Sequence, residues 1–288
     1  MSNFPFDNCA KSKADFEIII RQVTDYMVNM EYRGFNLTGL FRGQGRDCWK
    51  LIPKIARQYK KIELIEKTEY EIVNDFYNCM IDEDLMDAIN NGLKRVKYEK
   101  DWLLIQQAQH YELPTRFLDW SGAWKTALCF AVADEWDDNC PGHFWICLVP
   151  DKFWIGAGNS AYLEEDPFKY EKTIFLNSSM PHSGNPLIQI AQRRKGTQNG
   201  RFCVQPYSKV IFPLEEQDEY RPFLHKIVIP ADSKKQIREE LASEGITKEA
   251  LFVSEPFDPS VAVRYKEIAE KVKVIIEKLS VKYAIAVS

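Results

Sequence analysis

The 288-residue sequence has no apolar run near the ~20 residues that a membrane helix needs, no Gly/Ser-rich linker, no low-complexity tract and no internal repeat. A membrane-spanning chain, a string of tethered modules and a repeat array are therefore not expected. The opening stretch, MSNFPFDNCAKSKADFE, is polar and acidic where a secretory signal is basic and then apolar, so a cytoplasmic protein is expected. Charge of one sign is lacking too: 38 Lys and Arg against 42 Asp and Glu leave a formal −4. The summed field then offers no broad attraction to nucleic acid or to an anionic membrane, and any anion site has to be local.

Histidine is scarce, at four residues, and the seven cysteines are odd in number. Cys9, Cys48, Cys79, Cys129, Cys140, Cys147 and Cys203 are scattered through apolar or strand-like contexts, which suits reduced, mostly buried thiols better than a disulfide framework. The only metal-like spacing is Cys140, His143 and Cys147. Three soft ligands without a fourth nearby make a poor zinc site, so no metal is expected.

What is present is core-forming material. At 45% hydrophobic and 13% aromatic, the chain can bury a large interior. Residues 14–31 place Phe16, Ile19, Ile20, Val23, Met27 and Met30 at three- and four-residue steps, the period of an amphipathic helix. Residues 60–92 and 98–111 continue in helical pattern until Leu113-Pro114 forces the chain out of it. GAWKTALCFAVADEW follows, almost uncharged, and reads as a buried, central helix.

The second half changes character. HFWICLVP (143–150), RFCVQP (201–206), KVIFP (209–213) and FLHKIVIP (223–230) read as short strands. ADSKKQIREELASEG reads as a helix, and VAVRYKEIAEKVKVIIEKL as a long closing one. The expectation is one α+β domain, its mainly helical N-terminal half packed on a mixed or antiparallel sheet.

Three stretches carry chemistry. In Phe41-Arg42-Gly43, an arginine flanked by an aromatic ring and glycine suits a dinucleotide, the glycine letting backbone approach a phosphate or ribose. Arg42 equally suits a bracing pair with an internal carboxylate such as Asp119. In QHYELPTRFLDWS (109–121), polar groups crowd before the apolar helix. Ser121 or Asp119 can cap that helix or leave its N–H groups for an anion, while Thr115, Arg116, Asp119 and Ser121 also suit an internal hydrogen-bond network. QRRKGTQNGRF (192–202), with four cations and two glycines, suits either a phosphate-binding loop or plain solvated surface.

With FRG at 41–43, Pro53 and Arg57 behind it, QHYELPTRFLDWS before ALCFA, then Gln198, Gly200 and Phe202, and finally Leu251-Phe252, the chain closely resembles the FRG-domain family over residues 37–256. The expected organisation is an N-terminal helix and lead-in over 1–36, the FRG domain over 37–256, and a C-terminal helix over 257–288 packed on the same domain. The motif order is in turn similar to that of ADP-ribosyltransferases. That likeness implies an ADP-ribosyltransferase-like core with NAD as substrate, Arg42 on its phosphates and ribose, Ser121 supporting the nicotinamide pocket, and a glutamate activating the acceptor. Cofactor contacts are expected from Phe41, Arg42, Gly43, His110, Thr115, Arg116, Asp119 and Trp120. Where the pattern expects Glu-x-Glu the chain has Gln198-Asn199-Gly200, and glutamine cannot take a proton as a carboxylate can. Gln198 therefore stands at the catalytic position, and Glu255, ending LFVSEPF, is the carboxylate that could supply the charge.

Two functions follow. One is NAD binding with ADP-ribosyl transfer or NAD cleavage, the macromolecular acceptor left open among protein, RNA and DNA. The other is a non-catalytic module that binds a nucleotide or a protein. A hydrolase built on His110 and Asp119 is a third, weaker reading, because no metal-ligand cluster accompanies that pair.

Overall fold

A computed structural model describes residues 5–80, 97–156, 160–177, 193, 196–252, 270, 273–279 and 281–283. Seven strands form one sheet: β1 (Leu37–Gln44), β2 (Phe117–Ser121), β3 (Gly142–Pro150), β4 (Trp154–Ile155), β5 (Ile174–Asn177), β6 (Gly200–Val204) and β7 (Leu224–Ile229), in the order β4-β5-β6-β2-β1-β3-β7. Every neighbour is antiparallel except β4 and β5, so the sheet is mixed. Its centre, β2-β1-β3, is built from FLDWS, LTGLFRGQ and GHFWICLVP. The last is buried along nearly its whole length because both of its faces are covered.

One face carries the helices. Helices α1 (Lys13–Tyr32), α5 (Trp124–Val132), α6 (Lys234–Ser243) and α7 (Lys248–Leu251) enclose Phe41, Phe144, Ile146 and Ile227. On the other half of that face, α3 (Ile62–Met80) and α4 (Glu99–His110) enclose Phe117, Phe202 and Val204. The opposite face, with Leu40, Leu118, Trp120, Trp145 and Cys203, is covered by irregular chain. A short helix, α2 (Lys54–Gln58), follows β1. Helix α1 starts where periodicity puts it, at a capping box in which Ser12 and Asp15 satisfy each other's backbone N–H. Helix α4 ends at His110, just before Leu113-Pro114. Residues 273–279 are helical, and Leu279 and Tyr283 pack beneath α3 and α4.

The N-terminal half is mainly helical, as expected, and it also supplies β1 and β2, the sheet's centre. Short central strands buried on both faces carry no alternation to betray them. KVIFP (209–213) is a turn and not a strand, and Leu251 closes helix α7 rather than lying in a strand-like segment. Of the six described cysteines, three are buried, Cys140 is half-buried and Cys9 and Cys48 are exposed; all six are free thiols. No helix among the described residues is long and apolar enough to cross a membrane.

His143, at the start of β3, is buried, and its Nδ1 has no partner. Burial first, then nearby Lys226, pushes its pKa down to about 4. Between pH 6.5 and 4 the unfolded chain therefore takes up a proton that the folded chain refuses, and stability falls as pH falls. This site's share is roughly 3 kcal/mol. In urea titrations at pH 7 and pH 4.5, His143→Gln is expected to show a shallower acid loss than wild type.

Candidate functional site

Strands β1 and β2 lie side by side but share one register pair, Phe41 with Ser121. Beyond it the ladder stops, although β1 runs on to Gln44 and β2 begins back at Phe117. The sheet is therefore split at its centre, and a cavity of about 350 Å³ opens there, in the size range of small-molecule sites. Its walls include Phe41, Arg42 and Gly43 of β1, Asp119, Trp120 and Ser121 of β2, and Gly200, Arg201 and Phe202 of β6. Lys54 and Arg57 of α2, Gln109 and His110 of α4, and Phe130 and Phe252 complete them.

Arg42 alternates onto the far face of the sheet with Leu40, and its guanidinium turns into the split, where Nη1 donates to the Asp119 carbonyl oxygen. Its Nε is shut from solvent without a hydrogen-bond partner. Burial lowers its pKa to about 10; the Asp119 charge opposes that shift and Arg57 adds to it. Burial likewise pushes down the pKa of Arg57 and of Lys54, and Arg57 lowers Lys54 further. Three cations thus line the cavity, with Arg57 in electrostatic reach of the other two. An anion seated there would relieve both their crowding and their lost hydration.

Asp119 is the one exposed residue of β2: Leu118 at 2% and Trp120 at 3% face the other side of the sheet, and Phe117 and Ser121 on its own face are buried, so its exposure comes from the cavity it lines. Its Oδ2 accepts from Gln109 Nε2 at 2.8 Å, Gln109 Oε1 accepts from the Thr115 hydroxyl at 2.6 Å, and Thr115 Oγ1 accepts from Phe117 N–H at 3.1 Å. The surrounding protein pushes the Asp119 pKa up, while Arg42, Gln109 and Arg57 hold it down.

The structure sorts the expected site residues. Phe41, Arg42, Gly43, His110, Asp119, Trp120, Ser121 and Gln198 all border the cavity. Trp120 packs its indole against Phe175 on the far face, and His110 lies edge-on to Phe202 at 6.0 Å. The Ser121 hydroxyl is already engaged: it donates to the Gln198 carbonyl at 2.6 Å and accepts from Ala123 N–H at 2.9 Å, tying β2 to the segment that leads into β6 and to the start of α5. Gln198 Nε2 donates to the Leu251 carbonyl at 3.1 Å. Gly43 serves packing: a Cβ there would lie 1.9 Å from the Ala127 carbonyl oxygen on α5.

Thr115 and Arg116 are corrections, for neither borders the cavity. Thr115 acts through Gln109. Arg116 is wholly buried, ion-paired with Glu69 at 3.3 Å, stacked 4.4 Å over Tyr207, and donates to the carbonyls of Pro167, Tyr170 and Gln205. Glu255 lies outside the described residues, as does most of 178–195. Among the described residues no group of His, Cys, Asp and Glu is placed to hold a metal ion.

Gln109 and Arg201 border the cavity as members of the polar stretch and the basic loop, while Lys54, Phe130 and Phe252 were not expected as cavity walls. Nothing local marks Phe130, since its helix reads as buried all round. Set beside known proteins, residues 38–140 match the FRG domain family. That segment holds all of β1 but its first residue, and α2, α3, α4, β2 and α5. No curated protein and no solved structure matches the chain.

Proposed function

The chain carries an FRG domain over residues 38–140, and from that premise we propose that the split in the sheet binds NAD, for ADP-ribosyl transfer or NAD cleavage. The observation carrying this reading is that Arg42 and the Ser121 bend, 79 positions apart in sequence, border one cavity open between β1 and β2. Further support comes from adjacency. Strands β1 and β2, which carry the arginine and the serine, and β6, which begins two residues after Gln198, are adjacent in the sheet. The cations Arg42, Lys54 and Arg57 suit a diphosphate, and Phe41, Phe130 and Phe252 suit a flat ring.

A second reading, a module that binds a nucleotide without turnover, is favoured by one observation: Gln198 is neutral, and its amide is held by the Leu251 carbonyl. Binding and turnover are therefore measured separately. Calorimetry with ADP-ribose and NAD reads the first, and nicotinamide release the second. Arg42→Ala is expected to weaken ADP-ribose binding at least tenfold, about 2 kcal/mol being typical of charge-assisted bonds to phosphate. Unchanged affinity in a folded Arg42→Ala protein removes the nucleotide reading.

A further inference from the structure

Resting on the nucleotide reading, we propose that Asp119 is the catalytic carboxylate of the cleft, held in place by Gln109 and Thr115 as positioning residues. The Glu-x-Glu position is occupied by Gln198, which has no charge to offer. Among the described cavity residues, carboxylates come only from Asp119 and Glu112. Glu112 lies in the left-handed turn that follows α4, with φ 61°, and its backbone carbonyl accepts from Lys54. Asp119 instead lies within the sheet, on the same face as Phe41 and Ser121 and two residues from the latter.

The hydrogen-bond chain to Asp119 has a direction. Phe117 N–H donates to Thr115 Oγ1, and the Thr115 hydroxyl proton is donated to Gln109 Oε1. Gln109 Nε2 in turn donates to Asp119 Oδ2. One carboxylate oxygen is thereby anchored, while the residue remains open to the cavity. Burial raises its pKa, with Arg42, Gln109 and Arg57 opposing that shift, and a carboxylate of raised basicity is the better proton acceptor. A rigid, oriented carboxylate in a partly desolvated cleft is what a general base requires. The spacing of Gln109, Thr115 and Asp119 in QHYELPTRFLDW acquires its reason from this arrangement.

The step balances as follows. The bond between ribose C1′ and the nicotinamide nitrogen breaks, and nicotinamide leaves neutral with the bonding pair. The oxygen of water or of an acceptor hydroxyl forms the new bond to C1′, and its proton passes to Asp119 and then to solvent. The negative charge of Asp119 also steadies the cationic ribosyl centre between the two events.

The test uses the full chain, with nicotinamide release from NAD and calorimetry with ADP-ribose. Asp119→Asn is expected to keep ADP-ribose affinity within about threefold and to lose turnover by about 100-fold or more, together with the acid limb of the pH–rate profile. Gln109→Ala is expected to lower kcat by about tenfold with little change in KM, and to move that limb. Turnover retained by Asp119→Asn overturns the proposal, and so does wild-type protein that binds NAD without releasing nicotinamide at any pH. Wild-type protein that binds neither ligand overturns the nucleotide reading itself, and this proposal with it. Melting curves matching wild type establish that both variants are folded.

Discussion

Gly43→Ala is expected to lower the melting temperature by about 10 °C, or to leave the protein insoluble. The added methyl would lie 1.9 Å from the Ala127 carbonyl oxygen, 2.6 Å from Ala131 N and 3.0 Å from the Ala127 carbonyl carbon. All three are backbone atoms of α5, so no side chain can swing aside. The helix must lift from β1, and it cannot do so locally, because Ala127, Leu128 and Ala131 are packed into the cluster around Phe41 and Phe144. The loss is about 3 kcal/mol or more, at the upper end of overpacking. Gly43 has no positive φ, so conformational freedom is not what the position needs. Gly196→Ala, with nothing within 4 Å of the new Cβ and no positive φ, is the control and is expected to change stability by no more than about 0.5 kcal/mol. Differential scanning fluorimetry reads both; a Gly43→Ala protein melting with the control would refute the packing account.

Removing the carboxylate of Glu69 is expected to cost about 3–5 kcal/mol. Glu69 and Arg116 are both wholly buried, and the acid also accepts from the backbone N–H of Arg116 at 2.5 Å and from the Tyr207 hydroxyl. Burial alone pushes the Glu69 pKa up; Arg116 and those two donors counter it. Glu69→Ala strands a guanidinium, a phenol and a backbone N–H without that acceptor, away from water. Glu69→Gln keeps an acceptor of the same shape and is expected to cost less. Glu69→Leu combined with Arg116→Met removes both charges and is expected to recover much of the loss, as replacement of a buried pair by apolar groups often does. Urea unfolding of the three variants measures the series. A double variant no more stable than Glu69→Ala would show that the pair contributes more than mutual neutralisation.

The two residues explain how one motif string serves two purposes. Arg116 ties the start of β2 to α3 and to irregular chain on either side, while Asp119, three positions on, faces the cavity. From sequence the string was legible as a polar crowd before a buried helix, and Arg42 and Asp119 were legible as residues of one site or one brace. Which polar groups turn inward was not. Thr115 and Arg116 look as available as Asp119 in a linear chain. Their difference arises from strand alternation and from the partners, Glu69 and Gln109, that tertiary packing brings to them. Ser121 was expected to meet a ligand; its hydroxyl instead holds β2 to Gln198, a contact 77 positions away in sequence.

The sequence alone determined the amphipathic helices, the reduced state expected of the cysteines, the absence of a broad charge footprint and kinship with the FRG domain, because these depend on local periodicity, composition and motif spacing. The tertiary structure decided that β1 and β2 are central strands, that they separate after one register pair, and that the split lies where Arg42, Arg57 and Asp119 meet. Strand pairing is non-local, and a ladder that stops leaves no trace in the residues on either side. A cavity is defined by what fails to close, and only the packed chain shows it.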